Sequence, residues 1–231
     1  MVRKQLKERV DDYQDEILER LLAIEVDAHW FRRVFHTFAS CFLVFYLLPD
    51  ESWVDLAKFV VPVLIIILVG IVECRRLGGG LDHQYFFGLR YYEHHRPASY
   101  FYFGVGLVVL LLAVPQQIAL PCILCACFVD PAIGEFRHRL RRNTAYVLGF
   151  LLSASLFLMT WYQAQPWVVL CVSLIGASGA VLGERLKFQW LDDDLLIQLV
   201  PAILLFIMWQ GLSLLHITIL PPILLHPLGG V

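Results

Sequence analysis

Apolar residues along the chain collect into seven stretches, near Val34–Leu48, Phe59–Val72, Tyr100–Val114, Ile118–Ile133, Ala145–Trp161, Trp167–Leu182 and Leu195–Leu212. Several fall short of the roughly 20 residues of a full membrane span. Flanking aromatics, tilt or local bilayer thinning make up the difference. The pattern predicts an all-α fold: a polytopic membrane helix bundle of about seven spans. After them, His216 to Val231 stays apolar but is broken by Pro221, Pro222 and Pro227. This tail is expected to be a short eighth segment, a re-entrant piece or an interfacial one.

The first thirty residues read differently. Val10, Ile17, Leu21 and Ile24 fall near helical spacing on an otherwise charged stretch, which predicts an amphipathic helix from Val2 to Ala28. They lack the short basic region and apolar core of a cleavable signal. The expected organisation is a cytoplasmic amphipathic helix over 1–30 and a transmembrane domain of catalytic type over 31–231. The helix packs on the cytoplasmic face or on a second copy of the chain, as in a homodimer. No internal repeat or low-complexity linker interrupts this plan.

Composition agrees with a membrane protein. The chain is 59% hydrophobic and only 16% charged, with mean hydropathy +0.68, against roughly 25% charged residues in soluble domains. The net charge of -2 says little, because the charges are sorted in space. On a seven-span arrangement Lys58 is alone on one side, and the other cations among the 18 fall on the opposite side. Lys and Arg favour the cytoplasmic side, so the N-terminus is expected in the cytoplasm and the end of span seven outside. A bacterial inner membrane and an ER-type membrane fit equally well. No nucleic-acid partner is expected.

Candidate chemistry gathers on that basic side. Span four runs straight into Asp130, Pro131, Gly134 and Glu135, followed by Arg137, Arg139, Arg141 and Arg142. An ionisable residue in a span is costly and usually functional. A carboxylate for a metal ion beside cations for phosphate suits phosphoryl chemistry. On the same side lie Arg32, Arg33 and His36, then Glu73 and Arg76, then Glu93, His94, His95 and Arg96. Glu184, Arg185 and Lys187 follow, and then Asp192, Asp193 and Asp194. The three consecutive acids exceed what capping a helix N-terminus requires. Hard ions such as Mg²⁺ take oxygen ligands, commonly one or two carboxylates plus substrate phosphates. Cys122, Cys125 and Cys127 sit in an apolar helix without the paired spacing of a zinc site, and are expected to be packing residues. Gly78-Gly79-Gly80 lacks the GK[ST] ending of a phosphate loop.

In this order the motifs resemble those of the membrane CTP-dependent lipid kinases, which include dolichol/polyprenol kinase, phytol kinase and the CTP-using diacylglycerol kinase. These are distantly related to phosphatidate cytidylyltransferases. The similarity covers roughly Arg32 to Leu204. RRVFH is similar to the family's R-K-x-x-H opening, VECRR to its acidic-then-Arg exit from span two, and LRYYEHHRPASYFYFGVG to its R-x-x-E stretch. CFVDPAIGEF resembles its Asp–Gly signature through Asp130 and Gly134, and GERLKFQWLDDDLLIQLVP its acidic close. RRNTAYVLG stands where the family has K-[ST]-x-E-G, and Asp194 where it has Asn.

The resemblance implies phosphoryl transfer from a nucleoside triphosphate, CTP first, to a membrane lipid or isoprenoid alcohol at the cytoplasmic face. Asp130, Glu135, Asp192 and Asp193 are then the expected Mg²⁺ ligands. Arg33, Arg76, Arg137, Arg139, Arg142 and Lys187 are expected to bind substrate phosphates. His36 and Glu93, with Asp130, are the expected catalytic groups. A CDP-lipid cytidylyltransferase and a non-catalytic lipid-binding relative remain as alternatives.

Overall fold

A computed structural model describes residues 31–81, 86, 89, 93, 95–186, 188 and 190–228. The expected helix over 1–30, and Lys187, Arg90 and His94, lie outside these residues. Every regular element among the described residues is helical. We label them α1 (31–47), α2 (Ser52–Leu77), α3 (Ser99–Ala113), α4 (Gln116–Arg139), α5 (Arg142–Trp161), α6 (Pro166–Arg185) and α7 (Asp193–Leu214).

Each apolar stretch has become one of these elements. Five of them, α2 and α4 to α7, are long and apolar enough to cross a membrane. α3 is apolar but shorter. α1 is α-helical over 31–38 and continues as a 3₁₀-helix over Ala39–Leu47. Because a 3₁₀ turn rises about 2.0 Å per residue rather than 1.5 Å, its seventeen positions reach about 30 Å. Short connections make successive helices from α3 onward antiparallel neighbours. α4 is the most enclosed long helix and α2 the most exposed.

Small residues let α6 and α7 approach closely, as in many membrane helix pairs. A Cβ on Gly183 would lie 2.4 Å from the carbonyl oxygen of Leu196, and one on Gly179 would lie 2.8 Å from Cα of Pro201. This contact brings the start of α7, with its acids, against the end of α6. The core around α4 contains Ile118, Ile123, Val129, Phe157 and Ile197. Cys122, Cys125 and Cys127 are buried there as free thiols.

α4 differs from expectation. The apolar stretch ends at Ile133, but the helix runs on to Arg139, about 14 Å past Asp130. Arg142 already belongs to the first turn of α5. Pro131 is accommodated by a π-turn over Cys125–Val129, in which the Asp130 N–H donates to the Cys125 carbonyl. Pro131 has no N–H for the Cys127 carbonyl, and the widened turn absorbs that mismatch in place of a break. The cations that follow are stabilised at a helix C-terminus by its dipole.

The tail is not helical. Over 217–228 it folds back under the bundle end opposite the acids. Gln117 donates to the Pro221 carbonyl, Gln116 bridges Leu224 and Leu225, and the Leu228 N–H donates to the Leu47 carbonyl.

Candidate functional site

The N-terminal turns of α1, α3 and α7 meet the C-terminal part of α2, α4 and α6 at one end of the bundle. There three side chains from three helices converge. His36 Nδ1 lies 3.8 Å from Asp130 Oδ2, and His36 Nε2 lies 3.7 Å from Asp194 Oδ2. One donor atom from each of the three fits within 4.8 Å of the others. His36 and Asp194 are buried, and Phe103 packs edge-on against the imidazole. Asp194 Oδ2 and His36 Nδ1 have no hydrogen-bond partner among the described residues. A buried polar atom without a partner is costly, and two at one point fit a divalent ion.

Arg32 closes one side of this centre. Its Nη2 donates to Ser99 Oγ at 2.5 Å and lies 3.5 Å from Asp194 Oδ2, while Nη1 is 3.7 Å from Glu93 Oε1. Glu93 is buried and accepts the N–H of Ser99 at 3.2 Å.

Two cavities meet here. A polar cavity of about 280 Å³ is lined by Arg32, Arg33, His36, Asp130, Arg137 and Asp193, with Pro131, Gly134 and His138. A second, apolar cavity of about 670 Å³ runs between α1, α2 and α3. Both are within the usual range of ligand sites or close to it, about 300–1,000 Å³. Arg32 and His36 line both, and Glu93 and Ser99 lie at the head of the apolar one. Further along, its wall is Phe42, Phe45, Val61, Ile65 and Leu107, reaching Lys58 at the far end.

The other expected site residues hold different posts. Glu135, expected as a metal ligand, binds Arg33 at 2.6 Å and Arg139 at 2.5 Å on the surface, away from the three-residue centre. Asp192, expected likewise, pairs with Arg96 at 3.0 Å. Asp193 lines the polar cavity. The acid that joins Asp130 and His36 is Asp194, which was not singled out from its run. Successive residues on a helix point about 100° apart, so the acids at this helix start diverge: all three are buried, and the third is the one that meets His36. Arg32 stands one turn before His36, which puts both on one helix face.

Arg76 faces neither cavity. It is buried with Glu73, to which Nε and Nη2 donate at 3.1 and 2.6 Å. It also donates to the carbonyls of Glu93 and Arg96, both at 2.9 Å. Glu73 accepts from the Ala98 N–H at 3.1 Å and from the Tyr100 hydroxyl. The pair fixes the segment that carries Glu93 and Arg96. Arg137 lies at the polar cavity and binds the buried Glu184 at 2.5 Å. Arg139 is largely exposed, and Arg142 stacks over Tyr146.

Fold and site together define an all-helical protein with membrane-protein character. It carries a buried His–Asp–Asp centre where an arginine-rich cavity meets an apolar one. No protein-family model, curated protein or solved structure matches the chain.

Proposed function

We propose that this protein is a membrane phosphotransferase. It moves the terminal phosphoryl group of a nucleoside triphosphate, CTP first, onto the hydroxyl of a lipid or isoprenoid alcohol. The observation that carries this reading is the junction at Arg32 and His36, where a cationic, carboxylate-bearing cavity opens onto an apolar one. An amphiphile lying in the apolar cavity presents its hydroxyl at that junction, and a polyphosphate in the polar cavity meets it there. The order of motifs resembling the CTP-dependent lipid kinases points the same way. In this reading the chain has seven spans, with α1 and α3 crossing as well, and its N-terminus and site lie at the cytoplasmic face.

The residues act mainly by position and charge, as phosphoryl transfer requires. Arg32, Arg33 and Arg137 neutralise phosphate oxygens. The last two exchange their present carboxylate partners for phosphate. A divalent ion held by Asp130 and Asp194 would neutralise the same phosphates when bound. Glu93, beside Ser99 at the head of the apolar cavity, accepts the hydroxyl proton as the lipid oxygen bonds to the γ-phosphorus. The bond from that phosphorus to the bridging oxygen breaks, and the nucleoside diphosphate leaves with the bond's electron pair.

The test is an assay of purified protein in mixed micelles with γ- and α-labelled CTP and ATP against a panel of lipid alcohols and phospholipids. Label from the γ-position on a lipid is the expected result. Label from the α-position identifies a cytidylyltransferase, and no label with any lipid favours a non-catalytic lipid-binding protein.

A further inference from the structure

We propose that His36, Asp130 and Asp194 form a mixed nitrogen–oxygen site that selects a first-row transition-metal dication over Mg²⁺. The resemblance led to an all-oxygen magnesium set of Asp130, Glu135, Asp192 and Asp193. The geometry does not assemble that set, because Glu135 is taken by Arg33 and Arg139 and Asp192 by Arg96. What it assembles includes an imidazole. Carboxylate and water suit Mg²⁺, whereas imidazole suits ions later in the series, with affinity rising from Mn²⁺ through Co²⁺ to Ni²⁺.

The dimensions support an ion. Two donors about 2.1 Å from a metal at a tetrahedral angle lie about 3.4 Å apart. His36 Nδ1 lies 3.8 Å from Asp130 and Nε2 lies 3.7 Å from Asp194; only one ring nitrogen can bind a given ion, and one donor from each residue gives a set within 4.8 Å. Side-chain movements of up to about 1.4 Å therefore close the site. The separations are too long for direct hydrogen bonds, so the groups now face one another without satisfying one another. Asp194 Oδ2 and His36 Nδ1 are among the buried atoms without hydrogen-bond partners. Arg32 does not fill the role, since Ser99 anchors its Nη2 at 2.5 Å and leaves it 3.5 Å from Asp194. Three protein donors also leave coordination positions toward the polar cavity, where a phosphate oxygen or water can bind.

This inference concerns the ion of the proposed phosphotransferase site and rests on that reading for the ion's use. Its binding is measured apart from catalysis. The experiment takes the full, untagged chain in detergent, without nucleotide or lipid, and titrates it with Co²⁺ in the presence and absence of Mg²⁺. Stoichiometric Co²⁺ binding is expected, with a hyperfine-shifted, exchangeable imidazole proton in the NMR spectrum and no displacement by an equal concentration of Mg²⁺. His36→Gln should remove the shifted proton and the preference for Co²⁺. Loss of an outer-shell partner weakens binding by about 10–100-fold, so losing a direct ligand in Asp194→Asn should weaken it by more than about 100-fold. Failure to bind Co²⁺, displacement by equal Mg²⁺, or a wild-type spectrum without the shifted proton would each overturn the proposal. The wild-type measurements decide this even if a variant fails to fold. A chain that binds Co²⁺ as described but transfers no phosphate refutes the phosphotransferase reading and leaves the metal site standing.

Discussion

Replacing Glu73 by Ala tests whether the buried Glu73–Arg76 pair holds the site's framework. Both side chains are almost wholly buried, and the carboxylate meets the guanidinium through two bonds of 3.1 and 2.6 Å. Removing one partner of such a pair costs about 3–5 kcal/mol, because the other charge stays buried without compensation. The Ala98 N–H loses its acceptor as well, and an unsatisfied buried donor costs about 1–3 kcal/mol, so the upper end of the first range is expected. Glu73→Gln keeps the size and one acceptor oxygen, and should cost about 1–3 kcal/mol. In Glu73→Leu/Arg76→Met both charges are gone, and an apolar pair of similar volume is often close to neutral. Here the carbonyls of Glu93 and Arg96 still lose their donor, so the double variant should recover much of the loss but not all. The assay is reversible unfolding in mixed micelles with a rising fraction of denaturing detergent, read by tryptophan fluorescence. Completed with the singles Glu73→Leu and Arg76→Met, the cycle should give a coupling near the upper end of the usual range for contacting residues, about 3 kcal/mol. Glu73→Ala within about 1 kcal/mol of wild type would refute a buried, paired guanidinium.

Four further outcomes follow from the same geometry. Asp130→Asn keeps size and removes charge at a half-buried position, so it should leave the fold intact and abolish phosphoryl transfer; near-normal turnover in a folded sample would remove Asp130 from the site. Gly134 lines the polar cavity and a Cβ there would meet nothing within 4 Å, so Gly134→Leu should fold normally yet weaken nucleotide binding in equilibrium titration. Gly183→Ala would press a methyl group onto the Leu196 carbonyl at 2.4 Å; it should cost about 1–3 kcal/mol through overpacking, measured by the same unfolding assay. Cysteines introduced at the exposed Arg75 and Arg139 should be labelled from the same side of sealed vesicles, and labelling from opposite sides would sink the seven-span topology.

The helices were legible in the sequence because burial in lipid or core leaves a long apolar run whatever the neighbours are. Each of the seven apolar stretches coincides with one observed helix. Boundaries next to charge were less legible. The apolar run stops at Ile133, yet the helix continues to Arg139 after a π-turn that accommodates Pro131. Such an insertion shifts every later side chain by about 100°, and nothing local in an apolar run announces it. The close contact of α6 with α7 was not legible, because the partners of Gly179 and Gly183 depend on tertiary structure.

Among the charged residues, sequence proximity was a poor guide to which would meet. Arg76 and Arg33 each close an Arg–Arg pair in the sequence, yet one is sealed around Glu73 and the other pairs with Glu135. The difference lies in what the far ends of the chain bring to each. The Glu93–Ala98 segment covers Arg76, whereas the polar cavity opens beside Arg33. The same logic separates the acids at the start of α7. Asp192 meets Arg96, Asp193 faces the polar cavity, and Asp194 turns inward to His36. A residue next to Asp194 cannot replace it, because one step along the helix carries the carboxylate about 100° away. Asp193 therefore remains an acid of the cavity wall. Asp194 has Arg32 at 3.5 Å and His36 at 3.7 Å, so its charge is already partly balanced from the protein side. What suits Asp194 to hold an ion is its convergence with Asp130 and His36 within 4.8 Å, a grouping that does not include Asp193.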